Sequence, residues 1–420
     1  MAKIVLATIG SLGDLHPMIA LGLELRSRGH EITIAAMDFY REKIETSGFR
    51  FSPLRPHLDI ENRELALEIM DARKGPEILI KDLIFPQLKG MFDDLMSAVE
   101  DADLVVTGEI VYVAKSVQEK TGIKWISTSL APISFFSAHD PSVYPTAEWL
   151  EYLRPLPVGF HQALFKFMRW TISGWMEKYK EFRREIGLSE DHDPIFFGKN
   201  SELLHLAMFS KVLAKPQPDW HRPTLQTGFC FYDGQEYFGG APEGLQEFLD
   251  AGEPPIVFTL GSAAVMDARD FFEESAKAAQ ILKRRAILIY GLFNDPPKNL
   301  SKDVAGFDYA PFSRVFSRAA CVVHQGGVGT TGQVLRAGVP HLIMPYGHDQ
   351  PDNAARCKRI GVARVVSRNL YRAERAAFEI GKILKDPSYK ETAIEKGKIV
   401  RTEHGTQFAC DAIEEVLKRK

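Results

Sequence analysis

"VVHQGGVGTTGQVLRAGVP" (residues 322–340) runs from a short apolar strand into a helix through Gly326, Gly327 and Gly329. Glycine loses more conformational freedom on folding than any other residue, so three of them close together require a cause. One cause is steric: a tight strand-to-helix turn with a threonine as N-cap. The other is chemical. The first N–H groups of a helix are unpaired and sit at the positive end of its dipole, which suits an anion. Missing Cβ atoms would let a phosphate approach them. Thr330 and Thr331 add hydroxyl donors, and His324 adds a third. No Gly-Lys-Ser/Thr follows, so this is not a P-loop, and the GxGxxG spacing is absent. Spacing alone leaves turn and anion site open.

Outward from this loop the chain alternates strands and helices. "KIVLATI", "EITIAAM", "LVVTG" and "KWISTSL" are apolar strand patterns in the first third, with helical patterns "MIALGLELRSRG" and "VYVAKSVQEKTG" between them. The pattern restarts at "PIVFTLGSAA" (255–264) and continues through "AILIYG", "CVVHQ" and "HLIMPYG" with helices between. Strands that are apolar throughout imply parallel sheets covered on both faces. The fold class expected is α/β, two Rossmann-like domains facing across a cleft, with ligands beyond the carboxyl ends of the strands. The boundaries expected are residues 1–232, a Gly-rich linker at 233–245, a second domain at 246–398, and a C-terminal helix at 399–420 packing back on the first domain.

At 420 residues the chain exceeds what one core usually supports, which agrees with two domains. A net charge of −3 lacks the basic excess of a nucleic-acid binder. Four scattered cysteines suggest neither a disulfide framework nor structural zinc. With no signal-peptide pattern and no apolar run of about 18 residues, a cytoplasmic location is expected. Residues 135–200 break the alternation. In "FHQALFKFMRWTISGWMEKYKEFRREIG", Phe160, Leu164, Phe167, Thr171, Trp175 and Tyr179 recur at helical spacing, with Lys and Arg interleaved. The readings are a helix packed on the core, the wall of an apolar cleft, or a surface in peripheral contact with a membrane.

"YAPFSRVFSRAACVVHQGGVGTTGQVLRAGVPHLIMPYGHDQPDNAARC" (309–357) resembles the C-terminal signature of the family 1 glycosyltransferases, the UDP-glycosyltransferase superfamily. "GSLGDLHP" (10–17), "GFCFYDG" and "FLDAGEPPIVFTLGS" extend the resemblance over essentially the whole chain. It is strongest to bacterial rhamnosyltransferases and to antibiotic and sterol glycosyltransferases. The resemblance implies a GT-B fold, with the acceptor on the N-terminal half and a nucleotide sugar on the C-terminal half. It places Tyr309 on the base, with Ala310 beside it. It places His324, Gly326, Gly327, Gly329, Thr330, Thr331 and Ser262 on the diphosphate, and Asp349 and Gln350 on the sugar hydroxyls. Two positions depart. Gly332, followed by Gln333, stands where many UDP-sugar members carry a ribose-binding Glu, so ribose recognition through that carboxylate is not expected and the donor is read as a UDP- or dTDP-sugar. Phe312 replaces a Gln of plant members.

The implied reaction is inverting, metal-independent transfer of a hexose to a hydroxyl of an apolar acceptor: a lipid, a sterol or a polyketide-like natural product. No cofactor or metal is expected, and the acidic clusters at 101–103 and 191–193 are rejected as metal sites. Asp14 matches the family's catalytic base. Its alternative role is helix N-cap, where backbone N–H groups would lower its pKa. His16 has the better intrinsic pKa and competes with it. Phe135, Phe136, Phe167, Trp170 and Trp175 are the expected acceptor contacts. Hydrolysis or epimerisation of a nucleotide sugar is the nearest rival. A nicotinamide-dependent oxidoreductase is a weaker one, since "GSLGD" is not its fingerprint.

Overall fold

The computed structural model describes residues 1–419 except 59–61, 146, 191, 234–239, 293, 296 and 299. Residues 234–239 of the expected linker, and Asp191 of the second rejected acidic cluster, therefore lie outside the described residues.

Two wholly parallel sheets organise the chain. The first contains β1 (Lys3–Ala7), β2 (Glu31–Ala36), β3 (Arg50–Pro53), β4 (Leu104–Thr107), β5 (Lys124–Ser129), β6 (His205–Ala207) and β7 (Thr224–Gln226). Its spatial order is β3-β2-β1-β4-β5-β6-β7. The second contains β8 (Ile256–Thr259), β9 (Ala286–Ile289), β10 (Val304–Phe307), β11 (Cys321–His324), β12 (His341–Ile343) and β13 (Ala363–Val365), in the order β10-β9-β8-β11-β12-β13. The central strands are buried along their length, the consequence of unbroken apolar runs covered by helices on both faces. Each order reverses once, between β1 and β4 and between β8 and β11. A crevice opens beyond the strand ends at such a reversal. The segments after β1 and β11 carry the two sequence motifs.

The helices that matter for the site are α1 (Leu12–Ser27), α2 (Arg63–Ile69), α3 (Val158–Thr171), α4 (Glu177–Glu185), α5 (Val328–Ala337), α6 (Gln350–Arg359) and α7 (Gly405–Lys418). The last of these lays Ala409, Cys410, Ile413 and Val416 into the core of the first sheet, and Arg28, the C-cap of α1, pairs with Asp411 and Glu414. The chain thus returns to the sheet on which it began.

A buried ion network ties the two halves together. Arg356 of α6 is 2% exposed and holds Asp352 at 2.8 Å on its own helix and Asp140 at 2.5 Å from the first half. Asp352 also accepts from the backbone of Val143. On another side, α2 packs on the turn Val265–Asp267 after β8, and Met70 enters the second core.

The aromatic segment differs from its reading. The expected long helix is broken by a turn at Ser173–Met176 into α3 and α4. The inward stripe of α3 is His161, Leu164, Phe165 and Met168, one residue out of phase with the expected Phe160, Leu164, Phe167. Aromatics occur on both faces of α3, so periodicity could not fix the phase.

Candidate active site

The glycine loop serves two purposes. Gly326 has φ +94°, and a Cβ there would lie 2.8 Å from Ile343 Cγ2 and 3.1 Å from the Gln350 carbonyl, so it is required by the turn. At Gly329 a Cβ would meet nothing within 4 Å, so that glycine opens space. Helix α5 begins at Val328 with Gly327 as N-cap, which removes the threonine-cap reading and places Thr330 and Thr331 in its first turn. Val328 N–H donates to Asp349 Oδ2 (3.0 Å) and Thr331 N–H to the Gly327 carbonyl (2.9 Å). Among the described residues, the N–H groups of Gly329 and Thr330 have no protein acceptor, and Thr331 Oγ1 is buried without a partner. Unpaired N–H groups and a hydroxyl at the positive end of a helix are chemically suited to meet an anion. Ser262 is exposed in the short helix Gly261–Ala264 after β8, where Gly261 (φ +64°) borders Gln325 and Thr330.

His324 requires a correction. It is fully buried; Nδ1 accepts from Gly326 N–H (3.0 Å), so Nε2 carries the proton and donates to His341 Nδ1 at 2.8 Å. Burial, with His341 stacked on it, holds the imidazole well below the usual histidine range. The ring is neutral and both nitrogens are engaged, so it pins the loop instead of offering a charge or a free donor. The motif did not reveal this because the partner lies seventeen residues away on β12.

Where the resemblance places the nucleoside, Ala310 is buried and Tyr309 is half-buried at the end of β10. Its hydroxyl donates to the Asp233 carbonyl (2.7 Å), and Gln333 Nε2 donates to Asp233 Oδ1 (2.9 Å). A Cβ at Gly332 would stand 3.0 Å from the Phe229 ring, so a side chain at this position requires Phe229 to give way. Asp233 escaped the sequence reading because it lies at the edge of a segment read as linker.

Asp349 Oδ2 accepts from Val328 N–H and from Asn353 Nδ2, and burial raises the carboxyl to about 6. Gln350 is buried, its Oε1 accepting from Tyr346 N–H. Just before them, His348 takes φ +55° and donates through Nε2 to the Ile69 carbonyl of α2 (2.9 Å). The loop that leads into Asp349 and Gln350 is thereby anchored by the first half of the chain.

Across the crevice, Ser11 is the N-cap of α1 and Asp14 its N3 partner in a capping box, accepting from Ser11 N–H (2.8 Å) and Oγ (3.2 Å). The expected lowering by N–H groups is outweighed. Burial raises the carboxyl to about 7, and the charges of Asp349 and Glu109 push in the same direction. Asp14 is enclosed by protein yet still reached by solvent, as a cleft residue is. The field of Asp349 at Asp14 links the two sides. His16 has buried Nε2 without a partner, sits edge-on to Tyr232 (5.1 Å), and is lowered to about 3 by burial and Lys43. It is neutral, and its advantage as a base disappears. Glu109, just beyond β4, was not singled out from sequence; it accepts from Leu130 N–H and Ser134 Oγ and lies 3.4 Å from Lys199 Nζ. An acid directly following a strand at a sheet reversal was the available signal.

The five expected acceptor aromatics do not assemble. Phe136 (φ +47°) packs against Phe196 at 4.6 Å and under Lys199, next to Glu109. Phe135 instead stacks on Trp220 (4.0 Å) within a core cluster, and Trp175 packs on the core of the first sheet. Phe167 and Trp170 are 58% and 70% exposed on the outer face of α3. Among the described residues no helix is long and apolar enough to cross a membrane.

Comparison with known proteins agrees with this fold. Residues 4–96 match the family model for the glycosyltransferase family 28 N-terminal domain, and residues 294–405 match that for the erythromycin biosynthesis protein CIII-like C-terminal domain. O-mycaminosyltylonolide 6-deoxyallosyltransferase from Streptomyces fradiae is 33% identical over 98% of this chain and 97% of its own. The crystal structure of the glycotransferase of kitacinnamycin superposes with a TM-score of 0.74 at 21% identity, covering 99% of both chains. Glycosyltransferase VinC, solved in complex with dTDP, gives 0.67 at 19%, covering all of both.

Proposed function

This chain belongs to the family 1 glycosyltransferases with the GT-B fold, and from that premise we propose a specific reaction. It transfers a hexose, with inversion and without a metal, from a UDP- or dTDP-sugar to a hydroxyl of an apolar acceptor. One observation carries this reading. The N–H groups of Gly329 and Thr330 and the Thr331 hydroxyl, without protein partners among the described residues, share a crevice with Asp14, a carboxyl raised to about 7 by burial, with the charge of Asp349 adding to it.

The donor diphosphate lies on the start of α5, where two N–H groups, the threonine hydroxyls and the helix dipole meet its charge. Tyr309 stacks on the base, and Asp349 and Gln350 hold the hexose hydroxyls. Asp14 takes the proton of the acceptor hydroxyl as its oxygen attacks the anomeric carbon. The bond to the β-phosphate oxygen breaks on the opposite face, and the electron pair leaves with the nucleoside diphosphate. Preorganised donors stabilise that developing charge without reorganisation. A carboxyl near 7 matches base catalysis at neutral pH better than an ordinary aspartate, a contribution of about 10²–10⁴-fold. His324 holds the loop in shape. Phe136 with Phe196, beside the Glu109–Lys199 pair, forms the acceptor wall, apolar with one polar end. VinC, a protein of the same fold, binds dTDP, which supports a nucleoside diphosphate at this position.

A thermal-shift panel of UDP, dTDP, GDP and NAD, each with EDTA, tests the proposal. A shift of several degrees is expected with UDP or dTDP and none with NAD. Stabilisation by NAD alone would overturn it. Free sugar released in the presence of hydroxylated acceptors, with no glycoside formed, would favour hydrolysis.

A further inference from the structure

We propose that Asp233 recognises the pentose of the donor nucleotide, accepting a hydrogen bond from its 3′-hydroxyl; this rests on the nucleotide site proposed above. The segment Phe229–Asp233 lies along α5. Phe229 fills the place of any side chain at Gly332, the Arg336 guanidinium sits 4.7 Å over the Phe231 ring, and Gln333 donates to Asp233 Oδ1. Asp233 is held a second time through its carbonyl, which accepts from the Tyr309 hydroxyl.

The two elements that fix Asp233 are those that bracket a nucleoside. The start of α5 takes the diphosphate and Tyr309 takes the base. Between diphosphate and base lies the pentose, whose hydroxyls are donors in need of an acceptor. At position 332 α5 carries a glycine, with Phe229 packed on it, and therefore no carboxylate. Asp308, the nearest other acid in sequence, is exposed and accepts from the N–H of Tyr309. A carboxylate oriented by an amide donor accepts a hydroxyl proton well, since hydrogen bonds to ionised groups are the stronger class. The segment also reaches the other side of the crevice: Tyr232, one residue earlier, meets the His16 ring edge-on, two residues from Asp14.

The test is a cycle between protein and ligand. Calorimetric titration of dTDP and 2′,3′-dideoxythymidine diphosphate is carried out on the parent chain, Asp233→Ala and Gln333→Ala, with pyrophosphate as the control for an intact phosphate cradle. In the parent, loss of the 3′-hydroxyl should weaken binding about tenfold. In Asp233→Ala the two nucleotides should bind alike, each near the parent's affinity for the dideoxy compound, with pyrophosphate binding unchanged. Gln333→Ala should give an intermediate ratio. Should Asp233→Ala fold poorly, Asp233→Asn is read by the same ratio, expected to fall by at least threefold. A parent ratio near one, or a ratio that Asp233→Ala leaves intact, overturns the assignment. If no nucleoside diphosphate binds the parent at all, the functional reading itself has failed.

Discussion

Asp14 carries the strongest consequences of any single residue. Its carboxyl holds a proton to about pH 7 when folded and to about 3.8 in its ordinary state. Between those values the folded chain binds more protons than the unfolded chain, so this group's contribution to stability falls as pH rises through that window. Asp14→Asn removes the loss. The variant should be more stable than the parent by about 1–2 kcal/mol at pH 8, with the gap closing towards pH 4, checked by denaturant melts at both. Catalysis runs the other way, because the base must be ionised: kcat/KM should rise through about pH 7. Position and capping of Asp14 were legible in "GSLGDLHP", since the motif is local. Its raised pKa was not, because the burial that raises it, and the charges of Asp349 and Glu109 that add to it, come from chain segments far away in sequence. His324 and His16 escaped for the same reason: only the fold reveals that one is bound to His341 and the other buried.

At the scale of elements, the loop into α5 separates turn from cradle. Gly326→Ala should cost about 1–3 kcal/mol in a denaturant melt, because φ is positive and Ile343 and the Gln350 backbone occupy the space. Gly329→Ala faces open space within a helix, so its melt should match or slightly exceed the parent's. Its affinity for pyrophosphate should nevertheless fall about tenfold or more, as a methyl group would stand where a phosphate approaches. Unchanged pyrophosphate affinity would mean that this helix end is not the cradle. The strong strands were legible as unbroken apolar runs, whereas β3, β7 and β13 ("RFSP", "TLQ", "ARV") are too short and too polar to read. Helix α3 was legible as a helix but not in phase, since its exposed Phe167 and Trp170 mimic a buried stripe.

For the whole molecule, sequence alternation revealed two parallel sheets and a crevice, because βαβ units repeat visibly on either side of the glycine-rich segment. What joins the halves was not legible: Arg356, Asp352 and Asp140 look like ordinary surface charges in the sequence. Arg356→Ala leaves Asp352 and Asp140 buried without their cation and should destabilise the chain by about 3–5 kcal/mol. Unfolding should also separate into two transitions by calorimetry; a single unshifted transition would show that the network does not couple the halves. The account finally depends on the crevice working as one site, a base from the first sheet opposite a phosphate cradle from the second. The most direct measurement pairs turnover with donor binding in Asp14→Asn, using a UDP- or dTDP-sugar and a hydroxylated acceptor that the parent glycosylates. Transfer should fall at least 100-fold while calorimetric affinity for the nucleoside diphosphate stays within about twofold of the parent. Loss of both, or of neither, would show that Asp14 only caps α1 and that the base lies elsewhere.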